Sequence, residues 1–204
     1  MKLRPALIFC ALVFNSTNST ADSITLYNAS GVDANLLTLP GKVLSGKLKI
    51  DHSQFSGLGY QHTLSNPALL SQAFSQLGLT PPTTALELIA LKHRGLQTNT
   101  ELVAAYHLGF SGVGIGPLQL QPGLSWGFSW ALGRPSYEDG PKDEPARRYR
   151  FQNHLGFELA LSPKQAAPWS VIAKVHHRSG VYGLIAPRNV GSNFLALGLR
   201  YRFE

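Results

Sequence analysis

The chain has 204 residues, enough for one domain with a sizeable core. Only 14% of residues are charged, and aromatic and branched apolar residues are plentiful, which excludes a disordered chain. The net charge of +7 is spread along the sequence without a recognition-helix pattern, zinc-ligand spacing or basic arm. Nucleic acid is therefore not an expected partner, and an anionic lipid surface suits the basic balance as well.

Lys2 and Arg4 precede a short apolar run, residues 5–14 (PALIFCALVF), too short to span a bilayer as a helix. Ser19, Thr20 and Ala21 offer small residues for cleavage. Residues 1–21 thus read as a secretory signal peptide and residues 22–204 as the mature domain. Cys10 lies in the segment to be removed, so the mature domain would hold no disulfide. Nothing after Ala21 approaches the roughly 20 apolar residues of a membrane helix.

Alternation dominates the mature domain. Residues 24–30 (ITLYNAS) read as a first strand. Residues 31–53 are harder to place: Leu44, Gly46, Leu48 and Ile50 alternate with Ser45, Lys47 and Lys49, which fits a strand or a hairpin within a long first loop. Residues 55–64 put Leu58, Tyr60, His62 and Leu64 opposite Gly57, Gly59, Gln61 and Thr63. Between 65 and 83 the period changes. Pro67 suits a first helical turn capped by Asn66, Leu69, Leu70, Ala73, Phe74 and Leu77 recur at helical spacing, and Gly78, Pro81 and Pro82 end the run.

Six more strands are expected. Residues 85–94 set Leu86, Leu88 and Ala90 against Glu87, Ile89, Leu91 and His93; residues 100–110 set Leu102, Ala104, Tyr106 and Leu108 against Glu101, Val103, Ala105 and His107. Residues 117–132 carry Trp126, Phe128 and Trp130 on one face and Gln, Gly and Ser on the other. Residues 148–161 place Tyr149, Phe151, Leu155, Phe157 and Leu159 opposite Arg148, Arg150, Gln152, His154 and Glu158. Residues 169–180 put Trp169, Val171, Ala173, Val175, His177 and Ser179 on one face. The chain closes on residues 193–203, where Leu195, Leu197, Leu199, Tyr201 and Phe203 oppose Ala196, Gly198, Arg200 and Arg202.

A soluble sandwich also alternates. Segments of ten or more residues, aromatics bunched at segment ends, and an opposite face of small, polar and oppositely charged residues favour the membrane. The expected fold is all-β: an antiparallel transmembrane β-barrel of about eight strands with a short periplasmic helix. Short turns (112–116, 162–167) would face the periplasm, and long loops (133–147, 180–192) the outside. The expected location is the outer membrane of a Gram-negative bacterium, with the oligomeric state left open.

That topology puts His177 and Ser179 on the lipid-facing side at the outer end of the seventh strand, with Asn193 across the hairpin. A serine hydroxyl becomes a nucleophile when a nearby histidine takes its proton and a third group orients the ring. The candidate catalytic residues are therefore His177, Ser179 and Asn193. The inward residues His93, His107, His154, His176, Glu87, Glu101, Glu158, Arg150 and Lys174 have no metal-selecting spacing and are expected to form a structural network. Arg148, Arg200 and Arg202 would be lumen ion-pair partners. Residues 138–147 read as a solvated outer loop, and Gly112, Gly114 and Gly116 as a flexible turn. No metal and no cofactor is expected.

His177-Arg178-Ser179 on a penultimate strand, followed by a loop and a final strand ending LGLRYRF, resembles the lipid A deacylase (PagL) family of outer-membrane barrels. The resemblance covers about the last thirty residues. It implies a surface site hydrolysing the ester-linked acyl chain at position 3 of lipid A, with His177 and Ser179 in the family's H-x-S-N motif. The motif Asn is replaced by Gly180, and the family's Glu near the last strand is replaced by the run Gly191-Ser192-Asn193. The partner so implied is lipopolysaccharide or another outer-leaflet lipid. The competing readings are a structural or lipid-binding barrel without turnover, and a diffusion pore.

Overall fold

The computed structural model describes residues 21–138, 149–165, 168–187 and 190–203. Residues 1–20 of the expected signal peptide, which runs to residue 21, and most of the 138–147 loop lie outside them. In chain order the strands are β1 (Asp22–Val32), β2 (Ile50–Leu64), β3 (Thr83–Gly95), β4 (Thr100–Gly109), β5 (Val113–Ile115), β6 (Leu118–Leu132), β7 (Phe151–Pro163), β8 (Trp169–Ser179) and β9 (Gly191–Phe203). Two short helices join them, α1 (Leu39–Leu44) and α2 (Ala68–Gln76).

Sequential antiparallel pairing, the β4–β6 pairing and the pairing of β1 with β9 close eight strands into a barrel. Closure leaves the eight-stranded wall no free edge. β5 stands outside the wall as a short arm folded back on β6, so residues 113–115 are a hairpin strand and not the flexible turn expected. In the expected alternation from Leu44 to Ile50, Leu44 ends α1 and Ile50 begins β2, and residues 45–49 are neither strand nor hairpin. They follow α1, whose first turn holds Pro40, and the segment before it is tied by Asn35 Oδ1 accepting from Thr38 N–H at 2.9 Å.

The side-chain period sorts the wall. On β8, Ser170, Ile172, Lys174, His176 and Arg178 are buried in the lumen, while Trp169, Val171 and Ala173 are exposed outside. The outer surface carries two aromatic belts. Phe128, Trp130 and Phe151 meet at the long-loop end, and Trp169, Tyr201 and Phe203 at the end holding the termini.

The interior is filled, as eight strands require. Phe55, Phe194, Leu91 and Ile172 plug the middle. Around them, Glu101 accepts from Ser129 Oγ (2.6 Å) and sits 2.8 Å from His93 Nε2 and 2.9 Å from His176 Nε2. Below, Lys174 Nζ lies 2.6 Å from Glu87, and Arg200 reaches both oxygens of Glu158 at 2.8 Å. Taking these charges out of water is tolerable because each finds a counter-charge. A blind cavity of about 510 Å³, lined by Gln61, Thr83, His107, Gln121, Glu158 and Arg202, opens at the end with the termini.

Three expectations need correction: Arg202 lines the cavity but has no ion-pair partner among the described residues, and Arg150 and Glu138 change sides; Arg148 lies outside the described residues. Arg150 is exposed beyond the start of β7, because pairing there begins at Phe151; only its backbone carbonyl joins the network, accepting from Arg178. Glu138 is not solvated: the turn Ser136–Glu138 folds into the mouth, where Glu138 accepts from Arg178, Ser192 and Gln152. Arg178 is fully buried and demands that partner. Beside it, Tyr137 donates to Asp51; burial first, and that bond second, push its phenol well above the usual range, so it remains a donor.

Candidate active site

β8 and β9 bring the three candidate residues together at the long-loop end of the outer surface. His177 pairs directly with Asn193, and Ser179 with Gly191. His177 and Ser179 share the outer face of β8, two residues apart, so their Cα atoms are roughly 7 Å from each other. Both are only partly exposed, and Asn193 is buried although it points outward. The long first loop, residues 33–49, supplies the cover: the Ala34 carbonyl accepts from Asn193 Nδ2 at 2.7 Å.

That one contact fixes the chemistry of its neighbours. A carbonyl only accepts, so the Asn193 amide must turn its NH₂ to Ala34 and its oxygen to His177. Asn193 Oδ1 stands 2.7 Å from His177 Nδ1, and an amide oxygen only accepts, so Nδ1 carries the proton. Nε2 is left with its lone pair. This is the tautomer a general base needs.

The loop after Ser179 is tightly wound. Ile185 N–H and Ala186 N–H both donate to the Gly180 carbonyl, at 3.0 and 3.2 Å. A Cβ at Gly180 would lie 2.2 Å from the Ala186 carbonyl oxygen, so no side chain fits there. Val181 and Tyr182 take φ of 50° and 53°, a left-handed conformation that costs non-glycine residues, β-branched ones above all.

Glu87, Glu101 and Glu158 are inside the wall, as expected, and Glu138 is held on the lumen face of β8 and β9. Among the described residues no carboxylate lies within ion-pair distance of the His177 ring. Among the described residues a metal has a poor claim on the one group that could hold it. Glu87, His107 and Glu158 bring ligand atoms within 4.8 Å of one another, but Lys174 and Arg200 already neutralise both carboxylates and would repel a dication.

Sequence reasoning missed one neighbour. Asn153 on β7 faces outward and pairs directly with Ser179, yet it is 7% exposed. Its signal was present, as a polar residue breaking the apolar row between Phe151 and Leu155.

No protein-family model and no curated protein matches the sequence. Among solved structures, the outer membrane enzyme PagL superposes with a TM-score of 0.52 at 8% identity, covering 87% of this chain and 98% of PagL. A de novo designed transmembrane β-barrel gives 0.46 at 9% identity, covering 92% and 98%. Ail, the attachment invasion locus protein of Yersinia pestis, gives 0.27 at 11% identity, covering 91% and 100%. At such identities the likeness is one of fold alone: the chain is an eight-stranded antiparallel membrane β-barrel.

Proposed function

We propose that the protein is an outer-membrane lipid hydrolase of Gram-negative bacteria. Its substrate is lipid A or another ester-linked amphiphile of the outer leaflet, and its product is a lipid shortened by one acyl chain. The observation that carries this reading is the chain Ala34–Asn193–His177, which leaves His177 Nε2 unprotonated on the same outer face as Ser179. Two further features support it: the barrel resembles that of an outer-membrane enzyme, and the outer face below the site is apolar, so an acyl chain stays in hydrocarbon while its ester meets Ser179.

In the reaction, Ser179 Oγ gives its proton to His177 Nε2 and attacks the ester carbonyl carbon. The tetrahedral intermediate collapses by breaking the bond to the sugar oxygen, which takes the proton from His177. Water then attacks the acyl-serine with His177 again as base, releasing the fatty acid and restoring Ser179. Asn193 orients the ring without adding a negative charge. In a serine-protease triad the loss of the carboxylate costs about 10⁴ in rate, so turnover here is expected to be slow.

Purified barrel in detergent, incubated with lipid A, is read by mass spectrometry. The expected result is a lipid lighter by one acyl chain with wild type and an unchanged spectrum with Ser179→Ala. Identical spectra from wild type and Ser179→Ala would overturn the reading in favour of a structural or lipid-binding barrel.

A further inference from the structure

An ester hydrolase needs a donor for the carbonyl oxygen as it becomes an oxyanion, and the side chains flanking Ser179 differ in what they can offer it. Asn193 spends its oxygen on His177 and one N–H on Ala34, and it pairs with His177 and not with Ser179. The residue after the nucleophile is Gly180, where packing against Ala186 forbids a side chain. On the β9 side, the residue paired with Ser179 is Gly191, which also lacks one.

On the β7 side the paired residue is Asn153. Directly opposed residues hold their Cβ atoms about 4.5–5.5 Å apart, so the side chains of residues 153 and 179 leave the wall as neighbours on its outer face. Asn153 is out of place as a structural residue. It points outward between Phe151 and Leu155, beside Phe128 on β6, yet it is almost wholly buried. A carboxamide in apolar surroundings is costly unless its hydrogen bonds are made. Among the described residues it makes one, from Nδ2 to the Gly127 carbonyl at 2.9 Å. That bond anchors the amide by one N–H and leaves the second N–H of the same nitrogen uncommitted.

We infer that Asn153 is a further catalytic residue of this site, donating its free N–H to the oxyanion formed on Ser179. The inference rests on the proposed hydrolase activity. It places the base on one side of the ester carbonyl and the oxyanion donor on the other, carried by neighbouring strands of a rigid wall. The bond to Gly127 sets the donor in place before substrate arrives, which is what makes such a group effective.

The test compares kcat and KM for acyl release from lipid A by wild type, Asn153→Ala and Asn153→Asp. Folding of each is checked by heat-modifiable electrophoretic mobility. Removing one oxyanion donor costs about 10²–10³ in kcat. Asn153→Ala is expected to show that loss with KM changed less than about threefold, and Asn153→Asp, the same shape with no donor, to lose at least as much. A kcat within about threefold of wild type for Asn153→Ala would overturn the assignment and leave the hydrolase reading standing. So would a loss that merely follows the fraction of folded barrel. A folded wild type that releases no acyl chain would overturn the hydrolase reading, and this inference with it.

Discussion

Replacing Lys174 by methionine removes the cation on which the lower lumen is balanced. Its ammonium lies 2.6 Å from Glu87 Oε1 and 4.0 Å from Glu158 Oε2, and all three side chains are almost fully buried. Glu158 keeps both of its contacts to Arg200, so the damage falls on Glu87. That carboxylate would retain one neutral donor, Gln61 Nε2 at 3.1 Å. Breaking one side of a buried ion pair costs about 3–5 kcal/mol, because the remaining charge is left uncompensated. Lys174→Met is therefore expected to lower unfolding free energy by about that amount. Replacing both partners, Lys174→Met with Glu87→Met, is expected to return to within about 2 kcal/mol of wild type. Urea titration of the folded barrel, followed by tryptophan fluorescence, measures both. A loss under about 1 kcal/mol for the single change, or a double variant as unstable as the two singles added together, would refute the reasoning.

Other outcomes follow from the geometry. Asn193→Ala frees His177 to take the wrong tautomer and is expected to slow acyl release at least about tenfold, whereas Asn193→Asp supplies a charge for the imidazolium and should raise kcat. The same Asp turns an oxygen towards the Ala34 carbonyl, so urea titration should show a loss of about 1–3 kcal/mol. Val181→Gly relieves a left-handed β-branched residue and should stabilise the barrel by about 1 kcal/mol in the same titration. In planar bilayers the protein should conduct negligibly, since Phe55, Phe194 and the Glu101 cluster fill the lumen; steady single-channel currents would contradict the packing.

The barrel was legible because a wall with hydrocarbon outside and a narrow lumen inside leaves each position only one kind of side chain. That constraint gave the strand faces, and the change to helical period at Leu69, Ala73 and Leu77 gave α2. It fails where the constraint is absent. Glu138 sits in a Glu-Asp-Gly-Pro run that reads as a surface turn, and only the burial of Arg178, forty residues on, draws it inside. Phe55 is large and apolar, yet it points inward, because a filled lumen needs bulk as well as charge. At the site, the pairing of His177 with Asn193 was readable from hairpin register. The covering of Asn193 by Ala34 was not, since it joins residues 159 apart. Asn153 was overlooked because a strand face was traced by its apolar members, which steps over the polar residue that matters.

A site on the outer wall can meet lipid only if the outward rows lie in hydrocarbon. The three tryptophans, Trp126, Trp130 and Trp169, all face outward and are about half exposed. Their fluorescence in vesicles of acyl-chain-brominated phosphatidylcholine, against the same barrel in unbrominated lipid, tests that directly. Strong quenching of all three, resolved with single-tryptophan variants, is the predicted result. Unquenched emission, or a folded protein that stays in solution without detergent or lipid, would contradict the account.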